Sequence, residues 1–276
     1  MVVHIQALNK VEVAYQSLLK TKTLTYIMGN RERRKIMIEI ELLDTTKQKK
    51  IRKQYNDLGI SISGLKVLPI VEWNRIYNTL YNLFKQFPEV PKGFLKRIII
   101  VKGKNAPKIA RVRPNIVEYQ IKKNDTSGVC LYLNKVYFKN EQNDHELYIR
   151  EYGLKVTYTK EMCIAHEFGH VLEYLMYFKR YNLFDRMYIS EAEHQNILLD
   201  MKDMEIVCKP IMTKYLDKAN INYGKTATYA FIGDYLGSYA SKDFGEAFAE
   251  SIAQMYGHID NPVAMEIVES YLLHLK

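Results

Sequence analysis

The residues with the clearest chemical potential form one pentapeptide, His166-Glu167-Phe168-Gly169-His170. On an α-helix, residues four apart lie on one face, so both imidazoles can bind a single zinc ion. Glu167 is then displaced toward the metal-bound water, whose proton its carboxylate can accept. With 7 histidines in 276 residues, this pattern is expected by chance roughly 0.01 times per chain of this composition. The pentapeptide therefore predicts a hydrolytic zinc centre; the alternative is two satisfied histidines on a helix face.

A zinc site of this kind needs a third protein ligand. The residues just after the pentapeptide do not supply it, because Glu173 and Met176 stand where a metzincin has glycine and histidine. A later segment can supply it, since Glu246 and Glu250 share one face of a predicted helix that begins near Asp243. One of these carboxylates can bind zinc while the other holds a ligating imidazole. The spacing alone leaves open which carboxylate has which part.

A family resemblance rests on the pentapeptide together with Ser238-Tyr239-Ala240 and the run from Glu246 to Glu250. These motifs resemble the gluzincin metallopeptidases. The similarity is greatest to the lethal-factor-like family, whose zincin-like domains occur in bacterial toxins and phage head-associated proteins. The resemblance covers about residues 157–257. It implies an α+β, zincin-like metallopeptidase fold with a mixed-sheet upper lobe, an active-site helix that carries the HExxH motif, and a helical lower lobe.

The same resemblance implies roles for individual residues. The family's ligands for one Zn²⁺ per chain fall on His166, His170 and Glu246. Glu167 would be the general base, and Glu250 would orient a ligating histidine. Tyr239, seven residues before the ligand glutamate, would stabilise the oxyanion or protonate the leaving group. Tyr229 and Tyr235 are alternatives for this role, and only the family spacing favours Tyr239.

The activity expected from the resemblance is that of a zinc metalloendopeptidase, a hydrolase that cleaves a protein or peptide substrate. In such enzymes an edge strand beside the active-site helix binds the substrate backbone, and Gly128–Phe138 is our candidate for it. The family's phage members suggest an alternative function, a virion or head-associated structural protein that contacts capsid proteins. The expected location is cytoplasmic or virion-associated.

Hydrophobic spacing predicts the elements that must position these residues. Helices are expected over 6–22, from Asp44 to Gly59, and from about Trp73 to a stop before Pro88. Strands are expected over 35–43, 96–102, 108–113, 115–122 and 128–138. Nearly all of the chain after residue 157 is predicted to be helical, with Thr157 or Thr159 as the cap of the active-site helix. Cys163, one turn before the first histidine, is expected to be a buried thiol rather than a ligand.

The net charge of +9 is concentrated near the start of the chain. Residues 1–70 contain 13 Lys and Arg against 6 Asp and Glu. We expect a basic N-terminal region over 1–60 and a metallopeptidase domain over 61–276, with a helical insertion at about 180–225. The basic region is a weak candidate for contact with nucleic acid, because a solvated face is the simpler interpretation and no nucleic-acid motif accompanies it.

Composition excludes several classes of protein. A hydrophobic fraction of 47% and a charged fraction of 26% are average for globular proteins, which argues against a disordered or fibrous chain. The longest apolar stretches, such as 97–101, are far below the roughly 18 residues of a membrane span. No signal peptide is evident at the start. Three widely spaced cysteines do not form a disulfide framework, so a reducing interior is expected.

Overall fold

The computed structural model describes residues 45–104, 106–107, 109–114, 128–139, 159–184, 204–218 and 232–275. The chain divides into two compact units, 1–49 and 50–276. The expected helix over 6–22 and the expected strands over 35–43 and 115–122 lie outside the described residues, as do parts of the expected insertion at 180–225. The domain boundary expected at residue 60 and the insertion stay predictions.

The fold is α+β, as predicted, with a small mixed sheet and a majority of helices among the described elements. The first described helix, α1, covers 45–57. The strands are β1 (Ser61–Ser63), β2 (Leu95–Val101), β3 (Ala110–Pro114) and β4 (Val129–Asn134). The later helices are α2 (Ile70–Gln86), α3 (Lys135–Lys139), α4 (Lys160–Arg180), α5 (Met204–Lys218), α6 (Phe244–Tyr256) and α7 (Pro262–Leu275). Within the described ranges, no helix is long and apolar enough to cross a membrane.

The sheet has the strand order β1-β2-β4-β3. Strands β1, β2 and β4 run parallel, and β3 pairs with β4 in the antiparallel direction. The prediction that Gly128–Phe138 is an edge strand is therefore wrong, because β4 is hydrogen-bonded on both sides. The strand also ends earlier than predicted: the side chain of Asn134 accepts a hydrogen bond from Val136 N (2.8 Å) and so starts α3. Among the described strands, the edge position beside α4 belongs to β3.

The apolar face of the sheet follows from the alternation of side chains along each strand. Ile98, Leu131 and Leu133 are fully buried or nearly so, and all three belong to the main hydrophobic core. At the other end of this core, Tyr55 of α1 donates a hydrogen bond to Trp73 O (2.7 Å), while Trp73 Nε1 donates to Leu65 O (3.0 Å). These two aromatic residues bury a large apolar area and satisfy their polar atoms at the same time.

Helix α4, which carries the pentapeptide, lies at the centre of the described structure and is buried on nearly all sides. It begins at Thr159, whose side chain accepts a hydrogen bond from Met162 N (3.1 Å). The ring of Phe168 packs edge-on against Phe84 of α2, with ring centroids 5.3 Å apart. On the neighbouring face of α4, a Cβ at Gly169 would lie 2.6 Å from Ala249 Cα of α6. Phe168 and Gly169 therefore set how α4 packs against α2 and α6.

A buried ion pair holds the first turn of α4. Lys160, 5% exposed, lies 3.2 Å from Glu72 Oε1 of α2 and also donates to Phe138 O (3.2 Å). Arg75 extends the network, since it contacts both Glu72 (3.1 Å) and Glu161 (2.9 Å). Removing Glu72 would take the carboxylate away from the buried Lys160 ammonium, which is strongly destabilising. The network therefore fixes the start of α4 relative to α2.

Candidate metal centre

Two helices place three potential metal ligands around one point. His166 and His170 lie one turn apart on α4, and their ring centroids are 5.1 Å apart. Glu246 of α6 approaches both, because its Oε2 is 3.1 Å from His166 Nε2 and 3.6 Å from His170 Nε2. One ligand atom from each of the three residues lies within 4.8 Å of the others. This is the one group of His, Cys, Asp or Glu in the described part of the chain that meets the geometric requirement for a metal ion.

The position of Glu246 depends on where α6 begins. Asp243 is the N-cap residue, and its side chain accepts a hydrogen bond from Glu246 N (2.8 Å). This cap places Glu246 in the first turn, facing α4, and places Glu250 one turn later. Oε1 of the fully buried Glu250 lies 3.1 Å from His166 Nδ1. The two carboxylates that sequence spacing could not tell apart therefore have different positions: one approaches both Nε2 atoms, and the other approaches the back of one ring.

A residue without an assigned role in the sequence analysis completes the arrangement. Glu173 is fully buried, and its Oε2 lies 2.9 Å from His170 Nδ1. Each imidazole thus presents Nε2 to the common point and Nδ1 to a carboxylate, the arrangement that orients a ligating histidine. The His170–Glu173 contact is an aligned hydrogen bond, whereas His166 Nδ1 and Glu250 Oε1 are 3.1 Å apart without hydrogen-bond alignment. The sequence signal for the His170–Glu173 contact was the three-residue spacing of the pair on one helix, which makes the two side chains neighbours.

Gly245 provides the space for the Glu173 carboxylate. A Cβ at residue 245 would lie 2.7 Å from Glu173 Oε1. The glycine is also the second residue of α6, where the positive end of the helix dipole favours a nearby negative charge. Glu173 and Gly245 therefore act as a matched pair across the α4–α6 contact.

The charges at the centre shift the pKa values of its members in opposite directions. Burial alone would lower the pKa of His166, but contacts with Glu246 and Glu250 raise it to about 9. Burial opposes the charged form of His170 too, yet Glu173 and Glu246 hold its pKa well above the ordinary value. The pKa of Glu246 is far below its usual range, because the two histidines outweigh the effect of burial. A metal ion that binds here would displace the protons of the two histidines. Its affinity is therefore expected to increase as pH rises.

Unsatisfied polar atoms give an independent indication that the centre fits a cation. Oε2 of Glu246 is buried and makes no well-aligned hydrogen bond, although two ring nitrogens are close to it. Oε2 of Glu167 is also buried, and no described residue forms a hydrogen bond with it. Buried polar atoms are nearly always satisfied in proteins, and lone pairs that face a shared metal ion do not need to be aligned with one another. The donor set of two imidazoles and one carboxylate, with no fourth protein ligand in this group, is typical of catalytic zinc.

Glu167 lies next to the ligand group and borders the sheet. It is 8% exposed, and burial raises the pKa of its carboxyl group despite the two nearby histidines. The backbone of Val112 in β3 lies near this carboxylate and acts to lower its pKa, against the larger effect of burial. A carboxylate whose pKa is moved toward neutrality is better suited to accept and release protons near neutral pH.

The three tyrosines that competed for the electrophile role have different outcomes. Tyr239 is half-buried beside the centre, with its ring centroid 5.7 Å from that of His166. Its ring also lies under Lys242 Nζ, 3.3 Å from the centroid. Tyr235 is 48% exposed and packs near Tyr215, with ring centroids 6.3 Å apart. Tyr229 lies outside the described residues, so the comparison favours Tyr239 over Tyr235 only.

Two amides hold the loop that leads to Tyr239. Gln254 of α6 donates a hydrogen bond to Leu236 O (2.9 Å), and Asn261 donates to Tyr235 O (2.8 Å). Asn261 also donates to Gln254 Oε1 (2.6 Å) and, through its Oδ1, caps α7. The loop before Tyr239 is thus fixed to the same helix that carries Glu246.

Cys163 is a buried thiol, as expected from its position on an apolar helix. It is 4% exposed, and its Sγ lies 3.3 Å from the hydroxyl of Tyr137. Burial raises the pKa of this thiol to about 12. It does not belong to the metal-ligand group.

No family model matches this sequence, and comparisons with curated proteins and with solved structures found no match. The argument for function therefore rests on the geometry and chemistry of the centre.

Proposed function

We propose that this chain is a zinc metalloendopeptidase of the gluzincin type with a zincin-like fold. The observation that supports this most strongly is the approach of Glu246, from a separate helix, to Nε2 of both His166 and His170 at 3.1 and 3.6 Å. Two histidines with a purely structural role would need no third ligand between them. In this proposal the mixed sheet and α2 form the upper lobe, and α6 and α7 belong to the lower lobe.

The chemistry assigns a part to each neighbouring side chain. A bound zinc ion would supply a Lewis acid that polarises the scissile carbonyl and lowers the pKa of water. Glu167 would accept the proton of the attacking water, and the rise in its pKa on burial suits that task. Glu250 and Glu173 would hold the two ligating rings in orientation through their Nδ1 atoms. Tyr239 would donate a hydrogen bond to the developing oxyanion.

The edge of β3 supplies a place for the substrate backbone. Asn134 N donates to Ile109 O (2.7 Å), so with the observed register the Arg111–Tyr132 pair is hydrogen-bonded and the Val112–Leu131 pair is not. The backbone polar groups of Val112 therefore point away from β4, toward the side of Glu167. An extended peptide that adds to this edge would run past the catalytic base.

The first test measures zinc per chain by elemental analysis after native purification. The wild type is expected to hold about one zinc, and His166→Ala and Glu246→Ala are expected to lose most of it. His274→Ala is the matched control, because His274 is exposed on α7 and is not part of the ligand group. Zinc that is absent, or that does not depend on Glu246, would refute the site. It would favour the alternative function, a virion-associated structural protein that carries this domain.

The second test separates metal binding from hydrolysis. Glu167→Gln keeps the size of the side chain but cannot accept a proton as a carboxylate does. We expect this variant to retain the zinc of the wild type and to lose at least 100-fold in peptide cleavage, the lower range for a general base. Cleavage of a sensitive peptide at the wild-type rate would contradict the proposed mechanism.

A further inference from the structure

Strand β3 presents two positive charges on one face of the sheet. Arg111 and Arg113 alternate with the buried Val112, so both side chains lie on the face opposite the apolar core. Their register partners on β4 are Tyr132 and Cys130. The two arginines are therefore neighbours along the edge strand that borders the catalytic base.

Neither arginine forms an ion pair within the part of the chain that the structure describes. Arg113 is exposed. Arg111 is half-buried, with its guanidinium carbon 5.5 Å from the ring centroid of Tyr132. Its Nε is buried and has no hydrogen-bond partner among the described residues. An external acceptor on this side of the strand would satisfy the buried guanidinium nitrogen.

Strand addition would bring such an acceptor close. When an extended peptide pairs with β3, the peptide residues opposite Arg111 and Arg113 point to the same face as the arginines. Their Cβ atoms then lie about 4.5–5.5 Å from the arginine Cβ atoms. The guanidinium group is planar and matches a carboxylate with two parallel hydrogen bonds. Two peptide residues, i and i+2, therefore lie opposite the two arginines, with one arginine beside each.

We propose that the preferred substrate is an extended peptide with acidic side chains at two alternate positions that pair with Arg111 and Arg113. This inference rests on the proposed function, since it assigns a sequence preference to the same site. The residue between the two acidic ones faces α4 and the metal side of the strand. Each acidic residue is expected to raise kcat/KM by roughly two- to fivefold, which corresponds to an ordinary cross-strand charge pair.

The test is a cleavage profile of the zinc-loaded full chain on a randomised synthetic peptide library, read by mass spectrometry. Wild type is expected to enrich Asp and Glu at two positions that are two residues apart. The double variant Arg111→Glu/Arg113→Glu should lose this enrichment and favour Lys and Arg at the same positions. Arg97→Glu is the matched control: Arg97 is exposed on the same sheet face, but it lies on β2, away from the edge of β3.

The outcomes separate this inference from the proposed function. Cleavage without acidic enrichment, or enrichment that the double variant keeps, would overturn the substrate preference and leave the peptidase proposal intact. A wild type that binds zinc and cleaves no peptide would overturn both. Arg111→Gln/Arg113→Gln guards against misfolding by charge reversal: it should lower the ratio of kcat/KM on acidic peptides to kcat/KM on neutral ones by about two- to fivefold for each acidic residue. Equal loss on both peptide classes would show a structural role instead.

Discussion

The close approach of α4 and α6 at Gly169 makes a sharp prediction for Gly169→Ala. In an ordinary helix interior this change stabilises the protein by about 1 kcal/mol, because alanine is the better helix former. Here the new Cβ would lie 2.6 Å from Ala249 Cα, about 0.8 Å inside ordinary van der Waals contact. The atom it meets belongs to a helix backbone, so a side-chain rotation cannot relieve the overlap.

The sign of the stability change is therefore reversed. Overpacking of this kind costs about 1–3 kcal/mol, which offsets the gain in helix propensity and leaves a net loss of up to about 2 kcal/mol in the free energy of unfolding of the metal-free chain. The helices must separate, so Glu246 moves away from His166 and His170. A displacement of this size in the ligand set should weaken zinc binding by about 10–100-fold, like the loss of a residue that orients a ligand.

Two measurements test this reasoning. Urea unfolding of the metal-free variant gives the change in stability, and competition with a chromophoric chelator gives the zinc affinity. Gly233→Ala is the control, because its Cβ would meet Ser241 Cβ at an ordinary 3.7 Å; it should be as stable as the wild type or slightly more so. If Gly169→Ala is also as stable as the wild type and binds zinc equally well, the close packing of α4 on α6 is refuted.

Four further predictions concern the same centre. Glu173→Ala should weaken zinc binding by about 10–100-fold while Glu173→Gln, which keeps a hydrogen-bond acceptor for His170, retains most of it in the chelator assay. Gly245→Ala should reproduce the Glu173→Ala defect, because its Cβ displaces the carboxylate; unchanged affinity would contradict the proposed pairing. Asp243→Ala should lower the free energy of unfolding by about 1 kcal/mol through loss of the α6 cap, and an unchanged denaturation midpoint would count against it. Because burial raises the pKa of Cys163 to about 12, this thiol should resist alkylation in the native chain at pH 8 and react after unfolding. Its contribution to stability should fall as pH rises from about 9 toward 12, since the unfolded thiol ionises first.

Local sequence patterns predicted the elements that carry the site. Thr159, one of the two expected caps, caps α4, and α6 begins directly after Asp243, as predicted, because capping depends on a side chain and the backbone two or three residues later. The strands over 96–102 and 108–113 are confirmed within two residues as β2 and β3. Local patterns do not specify which strands are neighbours in a sheet. The assignment of Gly128–Phe138 to an edge is wrong for this reason, because β4 is a central strand and most of its side chains are buried.

The sequence by itself determined which side chains could meet a metal from one helix. The four-residue spacing of His166 and His170 on an apolar helix places both imidazoles on one face, wherever that helix lies. The same holds for the pairing of Glu246 with Glu250, since one turn separates them on any helix.

Only the tertiary structure decided how the two helices face each other. The absence of a side chain at Gly169 lets α6 approach α4, and the cap of α6 then sets which carboxylate reaches the two Nε2 atoms. The space at Gly245 decides that Glu173 holds His170. These choices depend on contacts between residues far apart in the chain, whose free energies arise only when the helices pack.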